Sequence, residues 1–236
     1  MTLWKPGTFR WLTALITGVS AASTVLAAVA PAVFASSKPP SGSAQTKLQR
    51  VEAAVDKEPR ATFKITYAYR NNQAKGSYSL EQQPPDQLLQ TSPPSPAELI
   101  NNGKQIYDCA LYGKPVTCIV YPSESASRAR GLMGALFDVG TYVSTMKGWG
   151  AMIGTRIAGF RVSFSTATFA GQPSDCVSWD FGNQNAKYCV TDNGILAYVG
   201  GSGGGSSNAF WLTSYSSHVS RSDFSLPKGA KITKLP

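Results

Sequence analysis

Residues 63–69 read Phe-Lys-Ile-Thr-Tyr-Ala-Tyr, an alternation of large apolar side chains with smaller or more polar ones. Successive side chains of a β-strand point to opposite faces of the sheet, so Phe63, Ile65, Tyr67 and Tyr69 would share one face. The stretch therefore predicts a half-buried strand. It is the clearest of a series of such signals along the chain.

Strand and turn signals repeat on both sides of this stretch. Asn102-Gly103 predicts a tight hairpin, and so does Gly182-Asn183. From Phe160 to Tyr215 five further strands alternate with turns, and the run Gly-Gly-Ser-Gly-Gly-Gly-Ser-Ser at 200–207 is predicted to be a loose hairpin loop. Sequential hairpins of this kind predict an antiparallel sheet.

Two segments have helical periodicity instead. Residues 44–58 place Leu48, Val51 and Val55 on one face and precede Pro59, which predicts a short amphipathic helix. Residues 123–147 carry a wider apolar stripe at steps of three and four. Together these patterns predict an α+β, mainly β fold: a curved antiparallel sheet, or unclosed half-barrel, with helices on its concave face.

The first 35 residues are predicted to direct export. Lys5 and Arg10 precede an uncharged run over 11–35, which ends in small residues that a signal peptidase could recognise. The run would serve as a cleaved signal peptide or as an N-terminal membrane anchor. We expect residues 36–43 to form a flexible linker and residues 44–236 a half-barrel domain. Either alternative places that domain outside the cytoplasm, secreted or anchored at the outer face of the cell membrane.

The chain has four cysteines, and an even number in an oxidising compartment implies disulfides. A two-residue turn at Gly182-Asn183 would place Cys176 opposite Cys189. A turn at Gly113-Lys114 would do the same for Cys109 and Cys118, although Pro115 weakens this turn because it lacks an N–H. Both pairs would fall at non-hydrogen-bonded sites, where Cα atoms are closest. The pairings Cys109–Cys118 and Cys176–Cys189 are therefore predicted, with a zinc site as the alternative.

The sequence indicates no catalytic or cofactor site. Gly200–Gly204 matches the nucleophile-elbow pattern around Ser202, but that motif needs a following helix, and here a polar loop and a strand are expected. His218 is the single histidine, which is too few for a histidine metal site. The net charge is +9, but the basic residues are scattered, so a nucleic-acid partner is not predicted. We therefore expect neither enzyme activity nor a cofactor.

Four segments carry a resemblance to known proteins: 159–174, 188–198, 212–216 and 222–230. They resemble a group of actinobacterial exported proteins of unassigned function and, more distantly, the periplasmic lipoprotein-carrier superfamily of LolA and the LppX-like lipoproteins. That resemblance implies an antiparallel half-barrel whose helices plug the concave face around a cavity for lipid or acyl chains. The near relatives often carry a lipid-anchored cysteine, and this chain has none.

The resulting prediction is an extracytoplasmic, non-catalytic binding or carrier protein for an apolar ligand such as a lipid or acyl chain. The alternative is a cell-envelope interaction protein whose own side chains fill its core. An uncleaved N-terminal segment would add contact with the membrane. The candidate cavity would be lined from the sheet and from the second helix, by Phe63, Ile65, Tyr67, Leu132, Met133, Leu136, Phe137, Val139, Val143 and Met146.

Overall fold

The computed structural model describes residues 42–55, 57, 60–92, 96–121 and 159–234. These residues form one sheet of twelve strands in the order β12-β6-β5-β4-β3-β2-β1-β11-β10-β9-β8-β7. The elements are α1 (Gly42–Val55), β1 (Phe63–Asn71), β2 (Lys75–Gln83), β3 (Asp86–Thr91), β4 (Ala97–Asn101), β5 (Ile106–Ala110), β6 (Thr117–Val120), β7 (Phe160–Phe169), β8 (Gln172–Phe181), β9 (Gln184–Thr191), β10 (Leu196–Gly203), β11 (Ser206–Ser216), a 3₁₀ helix (Arg221–Phe224) and β12 (Lys231–Lys234).

Two series of antiparallel hairpins make up most of the sheet. Strands β1 to β6 follow one another in space, as do β7 to β11, and the two series join where β11 pairs with β1. The join runs from Lys64 opposite Ser216 to Asn71 opposite Asn208, with a bulge between Thr66 and Tyr67. Strands β7 and β12 lie at opposite edges, so the sheet is not closed.

The sheet is mixed, and the prediction of a purely antiparallel sheet was wrong. Strand β12 pairs with β6 in parallel, from Lys231 opposite Thr117 to Lys234 opposite Val120. After β11 the chain crosses one face of the sheet through the 3₁₀ helix, which packs on β3, before it reaches the far edge. It therefore arrives in the same direction as β6. All four residues of β12 are exposed, so they have no buried alternation by which a sequence predicts a strand.

The pairing registers define two faces, because residues opposite each other on neighbouring strands share a face. We call one the helix face: it carries Phe63, Val177 and Tyr188, and α1 packs on it through Val51 and Ala54. We call the other the disulfide face, because both cystines lie there. The core is thus divided into layers on the two sides of one sheet.

The helical content differs from the prediction. Helix α1 begins at Gly42, two residues before the predicted start, and ends at Val55, three residues before the predicted end. The second helix, predicted over 123–147, lies outside the described residues. Among the described residues the helical elements with defined bounds are α1 and the 3₁₀ helix, so the structure does not support the prediction of several helices on a concave face. None of its helices is long and apolar enough to span a membrane.

The glycine-rich run at 200–207 is strand and tight turn, not a loose loop as predicted. Strand β10 continues to Gly203 and β11 begins at Ser206, so Gly204 and Gly205 alone make the turn. Their φ angles are +59° and +79°, the conformation that a type I′ hairpin turn requires and that glycine adopts without steric cost. The chain after Ser202 therefore continues into a hairpin and not into the helix that a nucleophile elbow requires.

Both predicted disulfides are confirmed. Cys109 bonds Cys118 and Cys176 bonds Cys189, each pair directly cross-strand with Cα atoms 4.0 Å apart. The turn at Gly182-Asn183 is the predicted one, whereas the other hairpin has a six-residue loop over 111–116 that preserves the predicted register. Two cystines indicate folding in an oxidising, extracytoplasmic compartment.

Candidate ligand-binding site

The three sheet residues predicted to line a cavity lie together in the core. Phe63, Ile65 and Tyr67 are 1%, 1% and 3% exposed and belong to one cluster on the helix face. The Tyr67 hydroxyl donates a hydrogen bond of 2.5 Å to the carbonyl of Leu196, which ties β1 to the start of β10. The seven residues predicted to face them lie outside the described residues: Leu132, Met133, Leu136, Phe137, Val139, Val143 and Met146.

A pocket of about 250 Å³ lies elsewhere on the helix face, between α1 and strands β7 and β8. Strand β7 is the edge of the sheet, so the pocket lies where the helix face meets solvent. Apolar, hydroxyl-bearing and charged residues from three elements line it. The lining residues are Lys47, Arg50, Val51, Phe164, Ser165, Thr166, Asp175 and Cys176.

Helical spacing places the charged residues of α1 beside its apolar stripe. Val51 and Ala54 are buried against the sheet, and Lys47 and Arg50 are exposed. Because Lys47 is four residues before Val51, and Arg50 is four before Ala54, the two cations lie at the margin of the buried face. Lys47 Nζ is 5.9 Å from the centroid of the Phe164 ring, within cation–π range. Positive charge and an aromatic surface therefore meet at the pocket mouth.

Arg50 also faces the single acidic residue of the lining. Its Nη1 is 3.7 Å from Asp175 Oδ2, and the two side chains are 64% and 26% exposed. This separation is longer than a hydrogen bond. An exposed pair of this kind contributes only about 0–1 kcal/mol to stability. The contact orients the two groups but leaves the pocket mouth with more positive than negative charge.

Sequence reasoning did not predict this pocket. Lys47, Arg50, Phe164 and Asp175 were outside the candidate set, although α1 itself was predicted. The signals available were the basic residues next to the α1 stripe and the alternation of Phe160, Val162 and Phe164. Neither signal says that this helix packs beside this edge of the sheet.

Other buried polar groups lie away from the pocket. Glu81, on the disulfide face, is almost fully buried and pairs with Lys64; burial raises the pKa of Glu81. The Tyr121 hydroxyl donates to Asp108 Oδ2 at 3.2 Å, and burial raises the pKa of Tyr121 to about 12. Across the described ranges, no three His, Cys, Asp or Glu side chains are grouped as a metal site would require.

This architecture defines a class of proteins with one large, unclosed, mainly β sheet. Among solved structures the chain is similar to MucB, with a TM-score of 0.50 and 10% identity over 81% of this chain and 65% of that one. It is also similar to LprF from Mycobacterium bovis, with a TM-score of 0.39 and 15% identity over 78% of this chain and 97% of that one. For the lipoprotein LppX from Mycobacterium tuberculosis the TM-score is 0.38, with 9% identity over 75% and 98% of the two chains.

LppX, one of the solved structures to which the chain is similar, is also the lipoprotein whose group the sequence resembles. At identities of 9–15% the likeness is one of fold alone. The chain spans 65% of the MucB chain's length. No family model and no curated protein matches it.

Proposed function

We propose that this protein is an extracytoplasmic binding or carrier protein for an apolar ligand such as a lipid or acyl chain, acting without catalysis. The observation that carries the proposal is the pocket between α1 and β7, in which Val51 and Phe164 supply apolar walls beside charged groups at the mouth. Ligand sites in proteins are typically concave, largely apolar and equipped with a few polar groups that orient the ligand.

Burial of an alkyl chain supplies the affinity in this proposal. Each methylene removed from water contributes about 0.8 kcal/mol before ordering costs. The pocket, at about 250 Å³, is smaller than the roughly 300–1,000 Å³ typical of ligand sites, so it would hold one end of a long ligand. The remainder would lie along the helix face toward Phe63, Ile65 and Tyr67. The predicted stripe at 132–146 would cover it.

The location proposed for this binding is the outer side of the cell membrane. Residues 1–35 would act as signal peptide or anchor, residues 36–43 as linker and residues 44–236 as the binding domain. Protease added to intact cells should then cleave the chain after residue 36. A full-length chain that is protected until the cells are lysed would contradict this location.

The second candidate is an interaction protein of the cell envelope whose core is filled by its own side chains. The near-complete burial of Phe63, Ile65 and Tyr67 favours it, because packed residues leave no room for a ligand at that point. In that case the pocket beside α1 would be a surface feature without an apolar occupant.

Ligand binding separates the two candidates. Native mass spectrometry of the purified full-length protein should detect a co-purifying lipid, and a fluorescent long-chain fatty-acid probe should bind. Phe164→Asp should weaken probe binding about tenfold or more, because it places a carboxylate in the apolar part of the pocket. Ser163→Asp is the matched control, since Ser163 is exposed and on the opposite side of the same strand.

Circular dichroism should show that both variants keep the β-sheet. Absence of both a co-purified lipid and probe binding would rule out the carrier and leave the interaction protein. Equal loss of binding in the two variants would show that the pocket beside α1 is not the site.

A further inference from the structure

We infer that the pocket between α1 and β7 recognises an anionic headgroup at the end of an alkyl chain, a carboxylate or a phosphate monoester. This inference rests on the proposed function and specifies the chemical class of the ligand. Two cations and one acid line the pocket: Lys47, Arg50 and Asp175. The lining therefore has a net positive charge, and an incoming acid group would be attracted to it.

Arg50 has the geometry to bind such a group directly. Its guanidinium offers five N–H donors in a planar fork that matches the two oxygens of a carboxylate or phosphate. The 3.7 Å contact with Asp175 is too long to be a hydrogen bond, and the Arg50 side chain remains 64% exposed. An anionic headgroup could therefore form the shorter, charge-assisted bonds that Asp175 does not form.

The charged and apolar parts of the pocket are arranged in the order that an amphipathic molecule requires. Lys47 and Arg50 are exposed on α1, and Val51, one turn after Lys47, is buried. Lys47 Nζ stands 5.9 Å from the centroid of the Phe164 ring, which forms part of the apolar wall. A headgroup between the two cations would direct its first methylenes onto Phe164 and Val51. A pocket of about 250 Å³ suits this end of a ligand.

Replacement of Asp175 distinguishes a structural role of the Arg50–Asp175 contact from a role of Arg50 in ligand binding. If the Arg50–Asp175 contact serves only to hold α1 on the sheet, removing the acid should destabilise the protein and leave ligand affinity unchanged. If Arg50 binds the headgroup, Asp175 competes with the ligand for it. Asp175→Asn should then strengthen binding of an anionic ligand about threefold.

The experiment compares probes that differ only in their head. Dodecanoate, dodecyl phosphate and 1-dodecanol are titrated by calorimetry into the full-length protein below their aggregation concentrations, and acetate and inorganic phosphate serve as chain-free anions. At least one charged amphiphile should bind about tenfold tighter than dodecanol, and the chain-free anions much more weakly. The tighter binder of dodecanoate and dodecyl phosphate shows whether the site prefers a carboxylate or a phosphate monoester. The preference should shrink as salt is raised, because exposed charges are screened.

Variants then assign the preference to the pocket. The double variant Lys47→Gln, Arg50→Gln should bind charged amphiphiles no better than dodecanol. Arg161→Gln is the matched control, because Arg161 is exposed on the opposite face of β7, and it should keep the preference. Equal wild-type affinity for charged and neutral amphiphiles would overturn the anionic headgroup and leave the proposed function standing.

Three further outcomes would each contradict the inference. Binding of inorganic phosphate or acetate as tightly as the amphiphiles would show a site for free anions and overturn the inference. A preference that survives the double variant would place the anion site elsewhere. Absence of binding by every amphiphile would overturn the inference together with the carrier function.

Discussion

Lys64 and Glu81 lie opposite each other on β1 and β2, with Lys64 Nζ 2.7 Å from Glu81 Oε1. The pair is asymmetric, because the lysine side chain is 48% exposed and the glutamate side chain 2%. The hydrogen bond to Glu81 raises the pKa of Lys64, as an attractive partner should. Burial nevertheless raises the pKa of Glu81 above 4.5, and Asp223 adds to this. The raised pKa of Glu81 therefore controls how this pair responds to pH, since desolvation of a buried carboxylate outweighs the attraction of a single partner.

The raised pKa of Glu81 predicts a specific pH dependence of stability. Between 4.5 and its higher folded value, the folded protein holds the Glu81 proton more tightly than the unfolded chain does. The free energy of unfolding contributed by this group therefore rises as the pH is lowered through that window. Melting temperatures of wild type and Glu81→Gln, measured from neutral pH down to the acid range, should converge as the pH falls. A difference that does not vary with pH would contradict the assignment.

The two disulfides predict a measurable loss of stability on removal. Replacing Cys176 and Cys189 together by serine should lower the free energy of unfolding by about 3 kcal/mol, because the cross-link no longer restricts the unfolded chain. Urea denaturation measures this change. Peptide mapping without reduction checks the pairing itself, and any peptide that joins Cys109 to Cys176 or Cys189 would contradict the structure.

Phe224 is expected to fix the segment after β11 to the sheet. Its ring is buried on the disulfide face with Leu88 and Ile100, and the 3₁₀ helix that carries it packs on β3. Phe224→Ala should cost about 3 kcal/mol and increase amide hydrogen exchange in β12. Ile232→Ala is the control, since Ile232 is 49% exposed and should change stability little. Unchanged exchange in β12 would show that its pairing with β6 is sufficient to hold it.

The turn at Gly204-Gly205 allows backbone strain to be tested without a change in packing. A Cβ atom at Gly204 would meet nothing within 4 Å, so no clash limits substitution there. The limit is the positive φ of Gly204, +59°. Gly204→Val should destabilise the protein by about 1–2 kcal/mol. Gly204→Asn should be tolerated, because asparagine favours type I′ turns. Similar melting temperatures for the two variants would show that the turn relaxes to another conformation.

Local patterns allowed much of the sheet to be predicted. The alternation at 63–69 gave β1 and its buried face, and the turn at Gly182-Asn183 gave the register of β8 with β9. Both cystine pairs followed from such registers. These features depend on residues close in sequence, where the period of side chains and the geometry of a tight turn leave few alternatives. The run at 200–207 was misassigned because its composition is typical of loops, whereas strand pairing holds it extended.

What the sequence determined by itself is most of the strands from β1 to β11 and the local hairpins that join neighbours, but not the fully exposed β12. Only the tertiary structure decided the contacts between distant segments: β11 beside β1, β12 parallel to β6, and Arg50 of α1 beside Asp175 of β8. An amphipathic helix specifies that it must bury one face, but not which strands will cover it. That choice depends on how the whole apolar surface is best removed from water, and no local window of sequence contains it.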